Sequence, residues 1–316
     1  MFPALVRVTL GLLLHASCTC LQTEAATLRI RQNVRTLPNI DAKEVQEQMQ
    51  LVLCKYAHAQ AEMRQEAIRM VLDYKPRQDI DSMRALEQRI QTAKKCAVVS
   101  SSGVHLKHSY GPTIDAADLI LRFNDAPVGG RWQEYVGSRD DVRIMNRKSF
   151  ESMLKRIPPS EAEVIYLLNR HQKGDPVTEV MVDGYSKHYP FLHFSFSNET
   201  LLMSTGRNLL LELYPDFRKR LSSRDLPTTG FYGVMLMMTI CDEVHAFGFP
   251  ETAGGLESPF HYYGPLAAGS ANTNEESVHS LFAPHEKLLY ADMALNADVN
   301  ETDVAVLPGF QSLQCA

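Results

Sequence analysis

Two short turns of small polar residues could bind an anionic group. Ser100 to Gly103 directly follows an apolar run that ends at Val99, and Pro227 to Gly230 directly precedes an apolar run that begins at Phe231. Backbone N–H groups and hydroxyls exposed in such turns can bind phosphate without a basic patch. Each turn alone is equally typical of an ordinary core element. The candidate binding residues in these turns are Ser101, Ser102, Gly103, Thr228, Thr229 and Gly230.

Asparagines and histidines supply the other candidate site residues. Asn124 and Asn146 each lie just after an apolar run, and an amide side chain both donates and accepts hydrogen bonds. An asparagine at such a position is equally often a turn residue that bonds to its own backbone. His261, His279 and His285 are candidates for proton transfer, because the ordinary pKa of histidine lies near neutral pH. With 11 histidines in the chain, composition alone does not select among them.

Short apolar runs, turn residues and helical stretches alternate from Cys96 onwards, which predicts strands alternating with helices. The predicted strands are 96–99, 119–123, 142–145, 164–168, 244–247 and 304–307, and the predicted helices are 200–213 and 231–241. Between Asp41 and Lys95, apolar residues recur every three to four positions, which predicts one or two amphipathic helices. The predicted fold class is α/β, with a Rossmann-like, doubly wound and mostly parallel sheet flanked by helices.

The first 25 residues form a predicted targeting segment. Arg7 precedes a mostly apolar stretch from Val8 to Leu14, which is typical of a signal peptide or a short signal-anchor. A spanning helix needs about 20 largely apolar residues, and this stretch reaches that length only with Arg7 and His15 near its ends. We expect residues 1–25 to be the targeting segment, residues 26–92 a helical stem or N-terminal extension, and residues 93–316 the main domain.

Charge and cysteine content limit the partners and the compartment. A formal net charge of −5 over 316 residues argues against a nucleic-acid or an anionic-membrane partner, so a local site must hold any anionic substrate. Outside the targeting segment the cysteines are Cys54, Cys96, Cys241 and Cys315. This even number allows two disulfides in an oxidising compartment, whereas four free thiols would fit a cytosolic enzyme. None has the paired spacing of a zinc site.

Five segments carry a resemblance to a known family. Cys96 to Asn146 resembles the long sialylmotif of animal-type sialyltransferases, glycosyltransferase family 29, and Pro227 to Phe249 resembles the short sialylmotif. His261-Tyr-Tyr-Gly264 is similar to the third motif, and His279 with Glu286 is similar to the very short motif. The C-terminal sequence from Leu307 to Cys315 is similar to that of β-galactoside α-2,6-sialyltransferases.

The resemblance implies an inverting transfer of sialic acid from CMP-sialic acid to a hydroxyl of a glycoprotein or glycolipid galactoside, with α-2,6 linkage suggested by the C-terminus. It implies a variant GT-A fold, a Golgi membrane location with a lumenal catalytic domain, and membrane association only through the N-terminal segment. The two N-x-S/T sequons, at Asn198 and Asn300, agree with lumenal glycosylation. No cofactor is expected, because the CMP-sugar is the donor substrate.

The resemblance also assigns roles to individual residues. His279 matches the catalytic base, and His261 matches the histidine that donates to the departing phosphate. The residues that match the substrate-binding positions are Ser101, Ser102, Gly103, Asn124, Asn146, Thr228, Thr229, Gly230 and Tyr262. The family pairs its motif cysteines as Cys96 with Cys241, and the α-2,6 branch pairs Cys54 with Cys315.

One departure from the family pattern affects the base. The family places a glutamate five residues after the histidine, whereas Glu286 lies seven residues after His279, and Pro284-His285 resembles an insertion. His285 is therefore a rival for the base, although the segment after His279 matches the family better.

Two further questions concern the metal and the function class. Asp140-Asp141 resembles the acidic pair that binds Mn²⁺ in many nucleotide-sugar transferases, but CMP has one phosphate, the resembling family needs no metal, and we expect the pair to lie in a solvated loop. The alternatives are a CMP-Kdo or other CMP-ulosonic acid transferase and a non-catalytic lumenal relative, which the altered His279 motif favours. The sequence does not fit an NAD-dependent Rossmann enzyme, because no GxGxxG motif follows a predicted strand.

Overall fold

A computed structural model describes residues 51–57, 64–65, 67–69, 80–145, 164–169, 192–197, 200–214, 227–249, 259, 261–264, 283–295, 302–313 and 315. Its strands are β1 Lys95–Val99, β2 Leu119–Phe123, β3 Val142–Met145, β4 Val164–Asn169, β5 Leu192–Ser197, β6 Glu243–Phe247 and β7 Val304–Pro308. Its helices are α1 Ile80–Thr92, α2 Gly111–Asp115, α3 Gln133–Val136, α4 Thr200–Leu213, α5 Thr229–Ile240 and α6 Ala283–Met293. Residues 51–57 are also helical, and 3₁₀ turns cover Gly103–Lys107, Gly130–Trp132 and Phe310–Ser312.

The strands form one 7-stranded sheet in the order β5-β4-β3-β2-β1-β6-β7. All neighbouring strands are parallel except β6 and β7, which are antiparallel. Cys96 pairs with Leu119 on one side and with Val244 on the other, so β1 is an interior strand next to the central strand β2. The predicted α/β class with a mostly parallel sheet is confirmed.

Helix α5 packs across the central strands. Its residues from Phe231 to Ile240 are all buried, as expected for a helix that is apolar on every side. Gly233 allows this close approach, because a Cβ there would lie 2.5 Å from the ring of Phe123 and 2.9 Å from Leu121. The helix thus begins beside the carboxyl end of β2, where candidate site residues lie.

Two disulfides fasten this core. Cys96, at the start of β1, bonds to Cys241, which follows α5 directly. Cys54 bonds to Cys315, and its neighbour Leu53 is fully buried in the same core cluster as α5. Residues 51–57 therefore pack with the sheet domain, although the predicted division at residue 93 stays a prediction.

The predicted elements match the structure closely at the centre of the sheet and less well elsewhere. Strands β2 and β3 have the predicted bounds, as does α4, and the other predicted strands differ by one residue at one end. Strand β5 and helix α6 were not predicted. No described helix is long and apolar enough to cross a membrane.

The predicted solvated loop at Asp140-Asp141 is wrong. Asp141 is buried and accepts hydrogen bonds from Arg89, Arg139 and the backbone N–H of Ile120. Asp140 forms an ion pair with the buried guanidinium of Arg143. Each carboxylate has its own arginine partners because the chain turns sharply into β3, and this arrangement leaves neither carboxylate as part of a shared chelating pair.

Candidate functional site

The turns that follow β1 and β2 lie at the same edge of the sheet, because the two strands are parallel neighbours. Ser100 to Gly103 forms the first turn and Asn124 begins the second. The edge beyond the carboxyl ends of parallel strands is where open α/β sheets bind ligands. Candidate residues from both turns therefore meet at this edge.

The turn after β1 is fixed by its serine hydroxyls. Ser100 Oγ accepts a hydrogen bond from the Ser102 N–H at 3.2 Å and donates to the Gly248 carbonyl at 3.1 Å. Ser102 Oγ in turn caps the following 3₁₀ turn by accepting from the Val104 N–H at 3.4 Å. Internal hydrogen bonds thus hold this turn in one conformation.

The segment that contains His261 packs directly onto this turn. Ser102 and His261 form an isolated antiparallel bridge. Gly103 permits the approach, since a Cβ there would lie only 1.8 Å from the carbonyl oxygen of Pro259. Ser101 and His261, which are 160 positions apart in sequence, are thereby brought together.

The His261 ring is oriented by a backbone carbonyl. Its Nδ1 lies 3.3 Å from the Ser101 carbonyl oxygen, and because a carbonyl only accepts, Nδ1 carries the hydrogen. The ring also stacks on Tyr263, with centroids 5.0 Å apart and planes 6° apart. This arrangement directs Nε2 away from the Ser101 carbonyl.

Tyr262 bonds to both the turn after β1 and the turn after β2. Its N–H donates to the Ser101 carbonyl at 3.1 Å, and its hydroxyl donates to the Pro127 carbonyl at 2.5 Å. The residue is 2% exposed, its ring meets that of Trp132 edge-on, and burial raises its pKa well above the usual range. The predicted substrate contact of Tyr262 stays a prediction, and its hydroxyl, which already bonds within the protein, also supports the site.

Asn124 is held in a left-handed conformation at the end of β2. Its φ is 50°, which asparagine tolerates better than most residues. Its N–H donates to the Ile144 carbonyl at 2.8 Å, and its carbonyl accepts from Arg143 at 2.7 Å. The same guanidinium donates to the Ala126 carbonyl and is held by Asp140. The buried Asp140–Arg143 pair therefore fixes the backbone of Asn124.

A third group of candidates lies at the start of α5. Thr228 is the N-cap, and its hydroxyl accepts from the Phe231 N–H at 3.0 Å. Glu286 accepts from the Thr228 N–H at 2.7 Å and from its hydroxyl at 2.6 Å. Glu286 is 3% exposed, and burial raises its pKa to about 7 although its hydrogen bonds with Thr228 act in the opposite direction.

Phe249 connects this helix start with the turn after β2. Its ring lies 5.9 Å from that of Phe123, the residue before Asn124. A Cβ on Gly230 would lie 2.9 Å from the same Phe249 ring. The positive end of the α5 dipole therefore lies near the carboxyl end of β2, where it favours a negatively charged ligand.

The structure describes only part of the predicted site. Asn146, His279, Asn198 and Asn300 lie outside the described residues. His285 lies in the first turn of α6, and its side chain is outside the described part. The described carboxylates, histidines and cysteines include no group of three that could hold a metal ion.

Two supporting residues of the site were not singled out from the sequence. Arg143 lies within the Cys96–Asn146 motif, and its bonds to the carbonyls of Asn124 and Ala126 depend on contacts that no local pattern reveals. His105 is buried beneath the turn after β1, and no sequence signal distinguishes it from the neighbouring polar residues.

Comparisons with known proteins agree on one family. The model described as "Glycosyltransferase family 29 (sialyltransferase)" matches residues 39–295. The chain is 26% identical over 242 residues to Beta-galactoside alpha-2,6-sialyltransferase 2 of Bos taurus, a match that covers 73% of this chain and 47% of that protein. It is 29% identical over 214 residues to Type 2 lactosamine alpha-2,3-sialyltransferase of Pongo abelii, which covers 63% of this chain and 62% of that protein.

The chain thus spans between about half and about three fifths of the length of these relatives. One similar solved structure, a mammalian sialyltransferase in complex with Gal-beta-1-3GalNAc-ortho-nitrophenol, is 21% identical with a TM-score of 0.40 and covers 72% of this chain and 84% of the other.

Proposed function

Because the chain belongs to glycosyltransferase family 29, the sialyltransferase family, we propose that it transfers sialic acid with inversion from CMP-sialic acid to a hydroxyl of a galactoside-type glycan. The observation that carries the proposal is the contact of the Ser100–Gly103 turn with His261, which brings a turn suited to bind an anion next to an imidazole with a fixed Nδ1–H. The α-2,6 linkage should be tested first, because the C-terminus resembles that of α-2,6 enzymes. The α-2,3 linkage should be tested beside it, because one of the similar proteins is an α-2,3-sialyltransferase.

In the proposed reaction, the acceptor hydroxyl attacks the anomeric carbon from the face opposite the CMP phosphate. A base takes the hydroxyl proton, the bond from the anomeric carbon to the phosphate oxygen breaks, and CMP leaves with the electron pair. His261 is suited to the leaving group, because Nδ1–H is fixed on the Ser101 carbonyl and a protonated ring can donate from Nε2. The start of α5 adds a favourable dipole for the phosphate.

His279 is the proposed base, with His285 as its rival. Glu286 bonds to Thr228 from the first turn of α6, so this carboxylate contacts the start of α5 despite the altered spacing after His279. The non-catalytic alternative rests on the same altered spacing.

The proposed setting is the lumen of the Golgi, with residues 1–25 as the membrane or targeting segment and residues 93–316 as the catalytic domain. Two disulfides support an oxidising compartment. Glycosylation at Asn198 and Asn300 follows from the same setting. No metal is proposed to take part.

The test compares His279→Ala with His285→Ala in transfer from CMP-sialic acid, and CMP binding is measured separately. We expect His279→Ala to lose about 10²- to 10⁴-fold in kcat while it still binds CMP, and His285→Ala to stay within about threefold of the wild type, so that each variant controls for the other. Full activity in His279→Ala with loss in His285→Ala would exchange their roles. CMP binding without transfer from CMP-sialic acid or CMP-Kdo would support the non-catalytic alternative.

A further inference from the structure

A buried histidine lies directly beneath the turn after β1. His105 is 2% exposed, and its Nε2 lies 3.0 Å from the carbonyl oxygen of Ser100 and 3.2 Å from Ser100 Oγ. Because a carbonyl only accepts hydrogen bonds, Nε2 carries the hydrogen and donates it to Ser100. The imidazole therefore acts as a hydrogen-bond donor inside the core, outside the set of residues assigned to the reaction above.

The surroundings of His105 keep the ring neutral. Burial lowers its pKa to about 3, the nearby positive charges of Arg122 and His108 act in the same direction, and the bond to the Ser100 carbonyl opposes them. The ring of Tyr262 also approaches it edge-on, at 5.8 Å between centroids. A ring that stays neutral at working pH does not shuttle protons, so its contribution must be structural positioning.

The bond to Ser100 fixes the orientation of one peptide group. The Ser100 carbonyl and the Ser101 N–H belong to the same planar trans peptide, so they point in opposite directions. With the carbonyl held toward the buried imidazole, the Ser101 N–H points away from it. The next carbonyl, that of Ser101, accepts from the Tyr262 N–H. Both peptide groups that flank Ser101 are therefore held.

The same contact joins the turn after β1 to the turn after β6. Ser100 Oγ donates to the carbonyl of Gly248, whose φ is 73°. A Cβ on Gly248 would lie 2.5 Å from Ser100 Oγ and 2.8 Å from His105 Nε2. Only glycine fits against this contact, so the three residues pack as one buried unit.

We propose that His105 is a positioning residue for the donor: it fixes the Ser100–Ser101 peptide so that the Ser101 N–H faces the phosphate of the CMP-sugar. The inference rests on the proposed function, because it assumes that a CMP-sugar binds at this turn. His105 should therefore affect the affinity for the donor, and it should not affect the pH dependence of kcat.

The test measures CMP affinity in the wild type, His105→Leu and His105→Gln. The only tryptophan, Trp132, lies 5.4 Å from the Tyr262 ring, so its fluorescence can report CMP binding. Leucine fills the space without a donor, whereas the glutamine amide can donate near the position of Nε2. We expect the Kd for CMP to rise about tenfold in His105→Leu, the effect of one lost buried hydrogen bond. In His105→Gln it should rise less than about threefold.

Two further measurements separate positioning from packing. Ile114→Ala removes buried apolar volume from the cluster that contains Tyr262, and it should lower Tm while the Kd for CMP stays unchanged. The pH profile of kcat in His105→Leu should match that of the wild type between about pH 5.5 and 7.5, because His105 does not titrate there.

Equal CMP affinity in His105→Leu and the wild type would overturn the inference, and so would equal loss of affinity in His105→Leu and His105→Gln. If His105→Leu does not fold, His105→Phe takes its place: its ring fills a similar space without a hydrogen-bond donor for the Ser100 carbonyl, and an unchanged Kd would again overturn the inference. A wild type that does not bind CMP would overturn the proposed function itself, and the inference with it.

Discussion

Both carboxylate oxygens of Glu286 bond to Thr228, a residue 58 positions earlier in the chain. Thr228 caps α5, and Glu286 lies in the first turn of α6. The carboxylate of one helix thereby fixes the first turn of another. Since the start of α5 lies at the candidate site, this pair connects the folding of the C-terminal region to the site.

Removing the Glu286 carboxyl should weaken the fold. We expect Glu286→Ala to lower the free energy of unfolding by about 1–3 kcal/mol, because the partly buried Thr228 N–H then loses its carboxylate partner. Glu286→Gln should cost less, since its amide oxygen can still accept from that N–H. Urea unfolding measures both variants. Equal losses in the two variants would show that the hydrogen bond itself contributes little.

The same residue predicts a dependence of stability on pH. The folded-state pKa of Glu286 is raised from 4.5 to about 7, so the folded protein holds this proton more tightly than the unfolded chain does. Its contribution is fully present below pH 4.5 and is lost as the pH rises through about 7. The free energy of unfolding of the wild type minus that of Glu286→Gln should therefore fall as pH rises across this range. A difference that grows with pH would contradict the raised pKa.

Asn124 allows backbone and side-chain effects to be separated. Its positive φ suits glycine, whereas alanine there should cost about 1–2 kcal/mol of folding free energy. Both Asn124→Gly and Asn124→Ala remove the amide, so we expect both to weaken CMP binding about tenfold if the amide bonds to CMP. Calorimetry and fluorescence titration measure the two effects. If Asn124→Gly binds CMP as tightly as the wild type does, the Asn124 side chain does not contact CMP.

The Cys54–Cys315 disulfide should contribute strongly to stability. It joins residues 261 positions apart, and the chain-entropy model assigns a closed loop of this length roughly 5–6 kcal/mol. We expect the double variant Cys54→Ser with Cys315→Ser to lose an amount in this range by urea unfolding. The double variant at Cys96 and Cys241, which are 145 positions apart, is the matched comparison. A loss below about 1 kcal/mol would show that this bridge adds little to the stability of the domain.

The centre of the sheet could be predicted because its signals are local. Strands β2 and β3 are short apolar runs between turn residues, and Thr228 is a typical N-cap before an apolar run. Strand β5 also has a usable pattern, since Leu192, Phe194 and Phe196 alternate with polar residues. Helix α6 is harder to predict because its burial does not follow polarity: Glu286 is as buried as its apolar neighbours.

The tertiary pairs of the site could not be predicted in the same way. The contact of His261 with Ser101 spans 160 residues, and the partners of Asp140 and Asp141 depend on how β3 packs against its neighbours. Adjacent acidic residues look solvated in sequence, and only the fold shows that arginines neutralise them in the core. Motif resemblance selected candidate residues but not their contacts.

Chelation should leave the activity unchanged. The one acidic pair that resembled a metal site has its carboxylates bonded to separate arginines, Asp140 to Arg143 and Asp141 to Arg89 and Arg139. We expect the transfer rate in excess EDTA to equal the rate without EDTA, and added Mn²⁺ not to increase it. A rate abolished by EDTA and restored by Mn²⁺ would contradict a metal-independent reaction.

The most direct test of the central claim is the mass of a terminal β-galactoside acceptor after incubation with the protein and CMP-sialic acid, with CMP-Kdo as the parallel donor. The proposed function predicts that the acceptor gains one sialyl residue from CMP-sialic acid and that CMP is released in equal amount. An acceptor of unchanged mass, or one modified only from CMP-Kdo, would contradict it.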